Sequence, residues 1–233
     1  METENFNTKP IGEIVADDFR AALIFKSNNI DFCCGGKKSL EEACIEKGVN
    51  PEKIVLQLTD LATIPPNSSQ DYKNWKLDFL CDYVVNTHHR YVLKTLPDLV
   101  FYTQKIASVH GDHHPELIEV AALFAQINKE LLQHLKNEEE VLFPAIKSVL
   151  KNNDASSKKT IISEIHRMSA EHEFAGGALD HISEITHHYK LPEDACSTYN
   201  VTFKLLEHFE DDLHIHVHLE NNILYLGALK LTE

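Results

Sequence analysis

Histidine is unusually frequent in this chain and recurs in a repeated pattern with glutamate. Fifteen of the 233 residues are histidine, which is the commonest metal ligand in proteins. The stretch HLKNEEEVLF contains His134 and Glu138, and the stretch HVHLENNILY, 82 residues later, contains His216 and Glu220 at the same spacing. Together with the similar spacings of 45 residues from His89 to His134 and 44 residues from His172 to His216, the repeat indicates a duplicated helix pair in which each half contributes two imidazoles and one carboxylate.

These pairs lie in phase with apolar stripes of predicted helices. In the helix that carries the first pair, apolar residues recur at steps of three and four down to Leu131, and His134 and Glu138 continue the series. Comparable stripes in the other three helices each include one histidine. The candidate ligands are therefore His89, His134, Glu138, His172, His216 and Glu220.

Burial of so many polar groups predicts a metal centre. A carboxylate in a protein core costs several kcal/mol unless it is neutralised or paired. Four imidazoles and two carboxylates are too many for one tetrahedral zinc ion, but they suit two ions bridged by the carboxylates. Nitrogen and oxygen ligands favour iron or manganese, although zinc stays open because ligand type alone does not determine the metal.

The remaining histidines do not share this phase. His88 is set aside in favour of its neighbour His89 because His89 agrees with the spacing of Val85, Val92 and Leu96. We expect the histidines outside the stripes to be solvated or to support the ligands from outside. They include His88, His110, His113, His114, His181, His187, His188, His214 and His218.

A second reactive feature is the vicinal cysteine pair in DFCCGGKK. A disulfide between Cys33 and Cys34 would close a strained ring and be easily reduced. Lys37 and Lys38 are expected to favour the thiolate form, which reacts and binds metals. We hypothesise that the pair acts together with the metal centre, whereas the alternative is that both thiols only pack in the core. The other cysteines are predicted to be packing residues: Cys44, Cys81 and Cys196.

The pattern of elements predicts an all-α protein. After a linker predicted at residues 63–74, four long helical patterns run over about 75–109, 115–150, 157–188 and 192–221. Four long helices with short connections form an antiparallel four-helix bundle, here assigned to residues 75–233. Residues 1–62 are predicted to form a small helical domain, in which Ser39 and Asn50 cap two helices. A domain this small needs support from its neighbour or from a second copy, so a homodimer stays open.

Composition excludes several classes of function. The formal net charge of −14 argues against binding of nucleic acid or an anionic membrane, because phosphates would be repelled. No apolar run is long enough to span a membrane, and the acidic N-terminus is not typical of a signal peptide. Five cysteines do not form a secreted disulfide framework, so a reducing cytoplasm is the expected location.

Together these motifs resemble a known family over nearly the whole chain. The bundle is similar to a hemerythrin-like domain, and DFCCGGK resembles the N-terminal domain of iron–sulfur cluster repair di-iron proteins of the RIC, or ScdA/YtfE, type. The resemblance implies the same six ligands and two non-haem iron ions, bridged by carboxylates and an oxo or hydroxo group. It also implies supporting roles for Glu130 and Glu171. One departure is His88, since family members have an aromatic residue before the first histidine.

The resemblance implies repair of iron–sulfur clusters damaged by nitric oxide or oxidative stress. Damaged iron–sulfur proteins would then be the partners, and nitric oxide or oxygen the small ligand. One alternative is a nitric oxide reductase that forms nitrous oxide. Another is a hemerythrin-like sensor or carrier of oxygen or nitric oxide, although a carrier has no evident need for the cysteine pair.

Overall fold

The computed structural model describes residues 6–65 and 70–233, and its regular structure there is helical. Within these ranges the only β pairing is an isolated bridge between Pro10 and Ser39. The all-α prediction is therefore confirmed. The chain divides into two compact units, one formed by Met1–Leu80 with Ile215–Glu233 and the other by Cys81–His214.

Short helices make up the N-terminal part of the first unit, and two of them have a side-chain N-cap. These short helices are α1 (Ile11–Asp17), α2 (Ala21–Ser27), α3 (Leu40–Lys47) and α4 (Pro51–Ala62). The predicted capping box is present, because the side chain of Ser39 accepts from the Glu42 N–H while the Glu42 carboxylate accepts from the Ser39 N–H. Asn50 caps α4 as predicted. These local signals therefore place the two helices correctly.

Of the described helices that follow, four are longer than 20 residues. The helices in this part of the chain are α5 (Leu77–Val84), α6 (Arg90–His110), α7 (Glu116–Asn137), α8 (Phe143–Asn152), α9 (Ala155–Ile185), α10 (Ser197–Leu219) and α11 (Tyr225–Lys230). In the second unit, α6 packs on α7, and both α7 and α8 pack on α9. Leu99, Phe124 and Ile182 are among the fully buried side chains of this core. The predicted apolar stripes therefore face the core.

Three five-residue π-helical segments interrupt these helices. They are π1 (Val85–His89), π2 (Glu138–Leu142) and π3 (Glu220–Leu224), which lie between α5 and α6, α7 and α8, and α10 and α11. The sequence patterns were interpreted as uninterrupted α-helices in these places. A π segment inserts one residue into the α-helical repeat and is frequent at functional sites. Each segment here begins or ends at a candidate ligand.

Three predicted helix ends are wrong. The last long helix begins at Ser197 instead of Pro192, because Glu193 and Asp194 form a turn, and it continues through π3 and α11 instead of ending near residue 221. The preceding helix ends at Ile185, after which His187, His188 and Tyr189 take positive φ values of 50°, 57° and 58°. Positive φ at three successive residues ends a helix sharply.

The predicted domain division stays a prediction. Residues 66–69 of the proposed linker lie outside the described residues. The first compact unit takes in the C-terminal residues 215–233, which the prediction assigns to the bundle. No described helix combines the length and the apolar character that a membrane span requires.

Candidate metal centre

Four of the six predicted ligands lie in the second unit, and their side chains meet there. His89, His134, Glu138 and His172 are all at most 2% exposed. The Glu138 Oε2 atom lies 3.3 Å from the Nε2 atoms of both His89 and His134. The Nε2 atom of His134 lies 3.0 Å from that of His172. Three imidazole nitrogens and one carboxylate oxygen thus converge in a site closed to solvent.

The π segments place two of these ligands. His89 is the last residue of π1, and Glu138 is the first residue of π2. Each π segment adds one residue to the helical turn and so shifts the register of the residues after it. The apolar stripes before and after π1 and π2 can therefore both face the core. The ring of Phe143, just after π2, stacks on His89 with 5.8 Å between ring centroids and 21° between planes. This contact holds the His89 ring in place.

Carboxylates outside the cluster orient two of the histidines. The Nδ1 atom of His89 lies 2.8 Å from Glu139 Oε1, and the Nδ1 atom of His134 lies 2.7 Å from Glu171 Oε2. An ionised carboxylate only accepts hydrogen bonds, so each Nδ1 donates and the Nε2 lone pair faces the cluster. Imidazole ligands of metals are commonly held in this way.

The hydrogen bond between His134 and Glu171 is consistent with a supporting role for Glu171, but the roles of both Glu171 and Glu130 stay predictions. The hydrogen bond from His134 lowers the pKa of Glu171 against the opposing effect of burial, and Arg167 donates to the same carboxylate at 2.9 Å. Glu130 lines a cleft of about 500 Å³ together with Glu171 and Arg167. Glu139 is out of phase with the apolar stripe of its helix, so periodicity does not predict a role for it.

The other two predicted ligands, His216 and Glu220, lie together in the first unit. Their side chains are 1% and 0% exposed, and His216 Nε2 lies 2.9 Å from Glu220 Oε1. Glu220 is the first residue of π3, as Glu138 is the first residue of π2. The repeat seen in the sequence thus extends to the backbone conformation.

The donor chemistry of these residues fits a bound cation. A fully buried carboxylate such as Glu138 requires compensating charge. His134 donates from Nδ1, so in its neutral form its Nε2 is an acceptor that faces Glu138 and His172. Nitrogen and oxygen donors in this arrangement suit iron, manganese or zinc. Metal binding is thus the chemistry that the site supports.

Two histidines outside the stripes are buried instead of solvated. His88 is 3% exposed, and its Nδ1 atom lies 3.0 Å from Asp212 Oδ1. His218 is fully buried, and burial lowers its pKa to about 4. Of the two alternatives expected for these histidines, solvation does not apply, because other segments also cover residues beside an inward stripe, and the supporting role stays a prediction.

The cysteine pair lies in a loop of the first unit. Cys33 is buried and Cys34 is half-buried. The neighbouring Cys34 thiol, burial and the Asp31 carboxylate raise the pKa of Cys33 well above its ordinary value. The prediction that lysines favour a Cys33 thiolate is therefore wrong. Lys38 pairs with Glu46 instead.

The other cysteines divide into two kinds. Cys44 and Cys81 are buried, as predicted for packing residues. Cys196 is exposed, so the packing prediction is wrong for it. Its thiol accepts from the Tyr199 N–H at 3.5 Å and lies 3.1 Å from His110 Nε2, and these contacts lower its pKa to about 7.

Comparisons with known proteins identify a cation-binding domain in this chain. Residues 82–226 match the hemerythrin HHE cation binding domain, and residues 7–62 match ScdA_N, a domain of unknown function (DUF542). The iron–sulfur cluster repair protein YtfE of Yersinia pseudotuberculosis (serotype O:1b, strain IP 31758) is 33% identical over 97% of this chain and 99% of its own length. The protein of the same name from Yersinia pestis (strain Pestoides F) is 32% identical over the same shares.

The fold and the buried donors define a helical cation-binding protein of the hemerythrin type, which confirms the predicted fold class. The chain belongs to the hemerythrin HHE family, within the group of iron–sulfur cluster repair proteins that also carry an ScdA_N domain.

Proposed function

We propose that this protein repairs iron–sulfur clusters damaged by nitric oxide or oxidative stress, by means of a non-haem di-iron centre. The names of its relatives support the repair role, and the family model supports a bound cation. The proposed partners are damaged iron–sulfur proteins, and the proposed small ligand is nitric oxide or oxygen. The proposed location is the cytoplasm, and a homodimer stays open.

The observation that carries the proposal is the carboxylate shared by two imidazoles. Glu138 Oε2 lies 3.3 Å from the Nε2 atoms of both His89 and His134, so one carboxylate is within reach of the donor atoms of two histidines. We propose that Glu220 forms the second bridge, and that the full ligand set is His89, His134, Glu138, His172, His216 and Glu220. Four imidazoles and two carboxylates leave coordination positions for exchangeable ligands.

The surrounding residues would orient the ligands of this centre and shield them from water. Iron bound here would supply redox activity, exchangeable coordination positions and a labile ion for delivery to a cluster. Glu139 and Glu171 keep a proton on Nδ1 of His89 and His134, which leaves Nε2 as the donor atom. Burial of the ligands excludes water from their surroundings. The thiols of Cys33 and Cys34 are proposed to act in repair, as acceptors of iron or nitric oxide.

The first test is metal analysis of protein purified without added metal, combined with a repair assay. We expect about two iron ions per chain by the proposed ligand count, a spectrum of coupled ferric ions, and restored activity of a nitric-oxide-treated [4Fe–4S] enzyme. The double variant Cys33→Ala, Cys34→Ala should keep the iron and lose repair, whereas Cys196→Ala should keep both. Metal-free, fully folded protein would overturn the di-iron proposal.

The same preparation distinguishes the alternative functions. Nitric oxide added anaerobically to the reduced protein should be bound without catalytic formation of nitrous oxide if the protein is a repair factor. Multiple turnovers to nitrous oxide would support a reductase instead. A stable, reversible oxygen adduct without repair activity would support an oxygen carrier.

A further inference from the structure

The loop that carries the cysteine pair has a preorganised conformation. The Asp31 carboxylate accepts hydrogen bonds from the backbone N–H groups of Cys33, Cys34 and Gly35, at 2.9, 3.1 and 2.8 Å. These bonds wrap the backbone around the carboxylate and turn both thiols to the same side. The Cys33 Sγ atom lies 3.0 Å from Asp31 Oδ1 and 3.9 Å from Cys34 Sγ.

The three side chains present one oxygen and two sulfur donors at metal-ligand spacing. Their donor atoms all lie within 4.8 Å of one another. Two thiolates bound at about 2.3 Å in a tetrahedral site lie roughly 3.8 Å apart, which is close to the observed distance between the sulfurs. Soft sulfur donors select thiophilic cations over magnesium or calcium.

We propose that Asp31, Cys33 and Cys34 form a binding site for a thiophilic divalent cation, distinct from the histidine–glutamate ligands. Binding would form two metal–thiolate bonds and one metal–carboxylate bond, release two thiol protons, and change no oxidation state. Three protein ligands leave a position open. Asp31 and Cys34 are half-buried, so the cation could enter and leave, as a transfer site requires. The proposal rests on the role proposed above for the two thiols as acceptors of iron, and it adds the third ligand and the class of cation.

Asn222 is the positioning residue of this site. Its Nδ2 atom donates to the backbone carbonyls of Phe32 and Cys33, at 3.3 and 3.1 Å. Position 36 of the loop has no space for a residue larger than glycine, since a Cβ at Gly36 would lie 2.5 Å from Asn222 Oδ1. Gly12 N–H donates to Gly36 carbonyl oxygen at 2.9 Å and closes the same contact. The side-chain amide of Asn222 therefore fixes two backbone carbonyl groups of this loop.

A histidine completes the support. His218 Nδ1 lies 3.2 Å from Asn222 Nδ2, and its ring lies against Phe32 with 5.6 Å between ring centroids. Asn222 is in π3, two residues after Glu220. The segment π3, which begins with the proposed ligand Glu220, thus also contacts the dithiol loop.

Anaerobic titration of the full-length, metal-free protein with Co²⁺ tests the site, because thiolate coordination gives a near-ultraviolet charge-transfer band that imidazole and carboxylate ligands do not give. We expect this band in the wild-type protein, its loss in Cys33→Ser, Cys34→Ser, and its retention in the matched control Cys196→Ser. The variant His216→Ala should keep the band while it loses metal from the histidine–glutamate ligands, so failure of either site is seen separately.

Two further variants test the carboxylate and the positioning role. Asp31→Asn should weaken Co²⁺ binding to the thiolates strongly. Asn222→Leu should weaken it by about 10–100-fold, the usual effect of an outer partner of a metal ligand, whereas Glu140→Gln, at the equivalent position of π2, should have no effect. Circular dichroism establishes that each variant is folded. Absence of the thiolate band in the wild-type protein, or its persistence in the double serine variant, would overturn the site, and unchanged affinity in Asn222→Leu would overturn the positioning role.

Discussion

The two π segments that begin with glutamate share a backbone conformation but differ in what their next residues do. In π2, Glu139 receives a hydrogen bond from His89 and Glu140 is exposed. In π3, at the position equivalent to Glu140, Asn222 donates to two carbonyls of the dithiol loop. Both segments place a buried carboxylate four residues after a buried histidine.

The two copies of the repeated motif therefore make different contacts outside their candidate ligands. The first residue of each segment and the preceding histidine are constrained by the candidate metal centre. The second and third residues make different contacts in the two segments, because different parts of the chain lie next to them. One copy therefore supports a ligand on another helix, whereas the other holds the N-terminal loop.

Loss of one histidine from either copy should have the largest effect. We expect His134→Ala and His216→Ala each to reduce metal affinity by more than the 10–100-fold that loss of an outer partner causes. The matched control is His113→Ala, since His113 is exposed. Elemental analysis of purified protein measures the result. If only one copy proves necessary for metal, the two halves do not contribute to one centre.

Loss of the carboxylates that orient the histidines should have the next largest effect. Glu139→Gln and Glu171→Gln should each weaken metal binding by about 10–100-fold, because the amide no longer enforces a proton on Nδ1 of His89 or His134. Glu140→Gln is the control within π2. Competition with a chromogenic chelator measures the affinities, and equal affinities in all three variants would contradict the assigned roles.

Disruption of the π3 contact should lower stability without loss of the histidine ligands. Asn222→Leu leaves the carbonyls of Phe32 and Cys33 without this donor, at a cost of about 1–3 kcal/mol. Gly36→Ala should also destabilise, because its methyl group would collide with Asn222. Urea unfolding measures both changes.

A second glycine provides a control of opposite sign. A Cβ at Gly177 within α9 would contact no atom within 4 Å, so Gly177→Ala should stabilise the protein by about 0.5–1 kcal/mol. A stabilised Gly36→Ala variant would show that the loop does not rest on Asn222 as described.

The smallest effect concerns Cys196, whose reactivity must be known before thiol measurements can compare the dithiol loop with other sites. Its pKa of about 7 predicts that alkylation by iodoacetamide accelerates as the pH rises through 7 and then levels off. His110→Gln should move this midpoint upward. Alkylation should be slower at Cys44 and Cys81, which are buried; faster modification of either would contradict the assigned environments.

Much of the candidate site could be predicted because periodicity and chemistry select the same residues. His134 and Glu138 occupy core positions of an amphipathic helix, where leucine would otherwise stand, and this conflict with burial preferences signals a metal. The capping residues Ser39 and Asn50 were likewise predictable, since a cap acts within four residues of the chain. Glu139 gave no such signal, because its partner His89 is distant in sequence.

By itself, the sequence determined the helical class, the order of the long helices and the choice of six candidate ligands. It also identified the vicinal cysteine pair as a candidate reactive site. The helices and their candidate ligands follow from the spacing of residues along each helix, because that spacing decides which side chains share a face. Only the tertiary structure decided the π segments, the burial of His88 and His218, the exposure of Cys196 and the contact of Asn222 with the dithiol loop. Such features depend on which segments meet in space, and a residue's spacing along its own helix does not specify its partner.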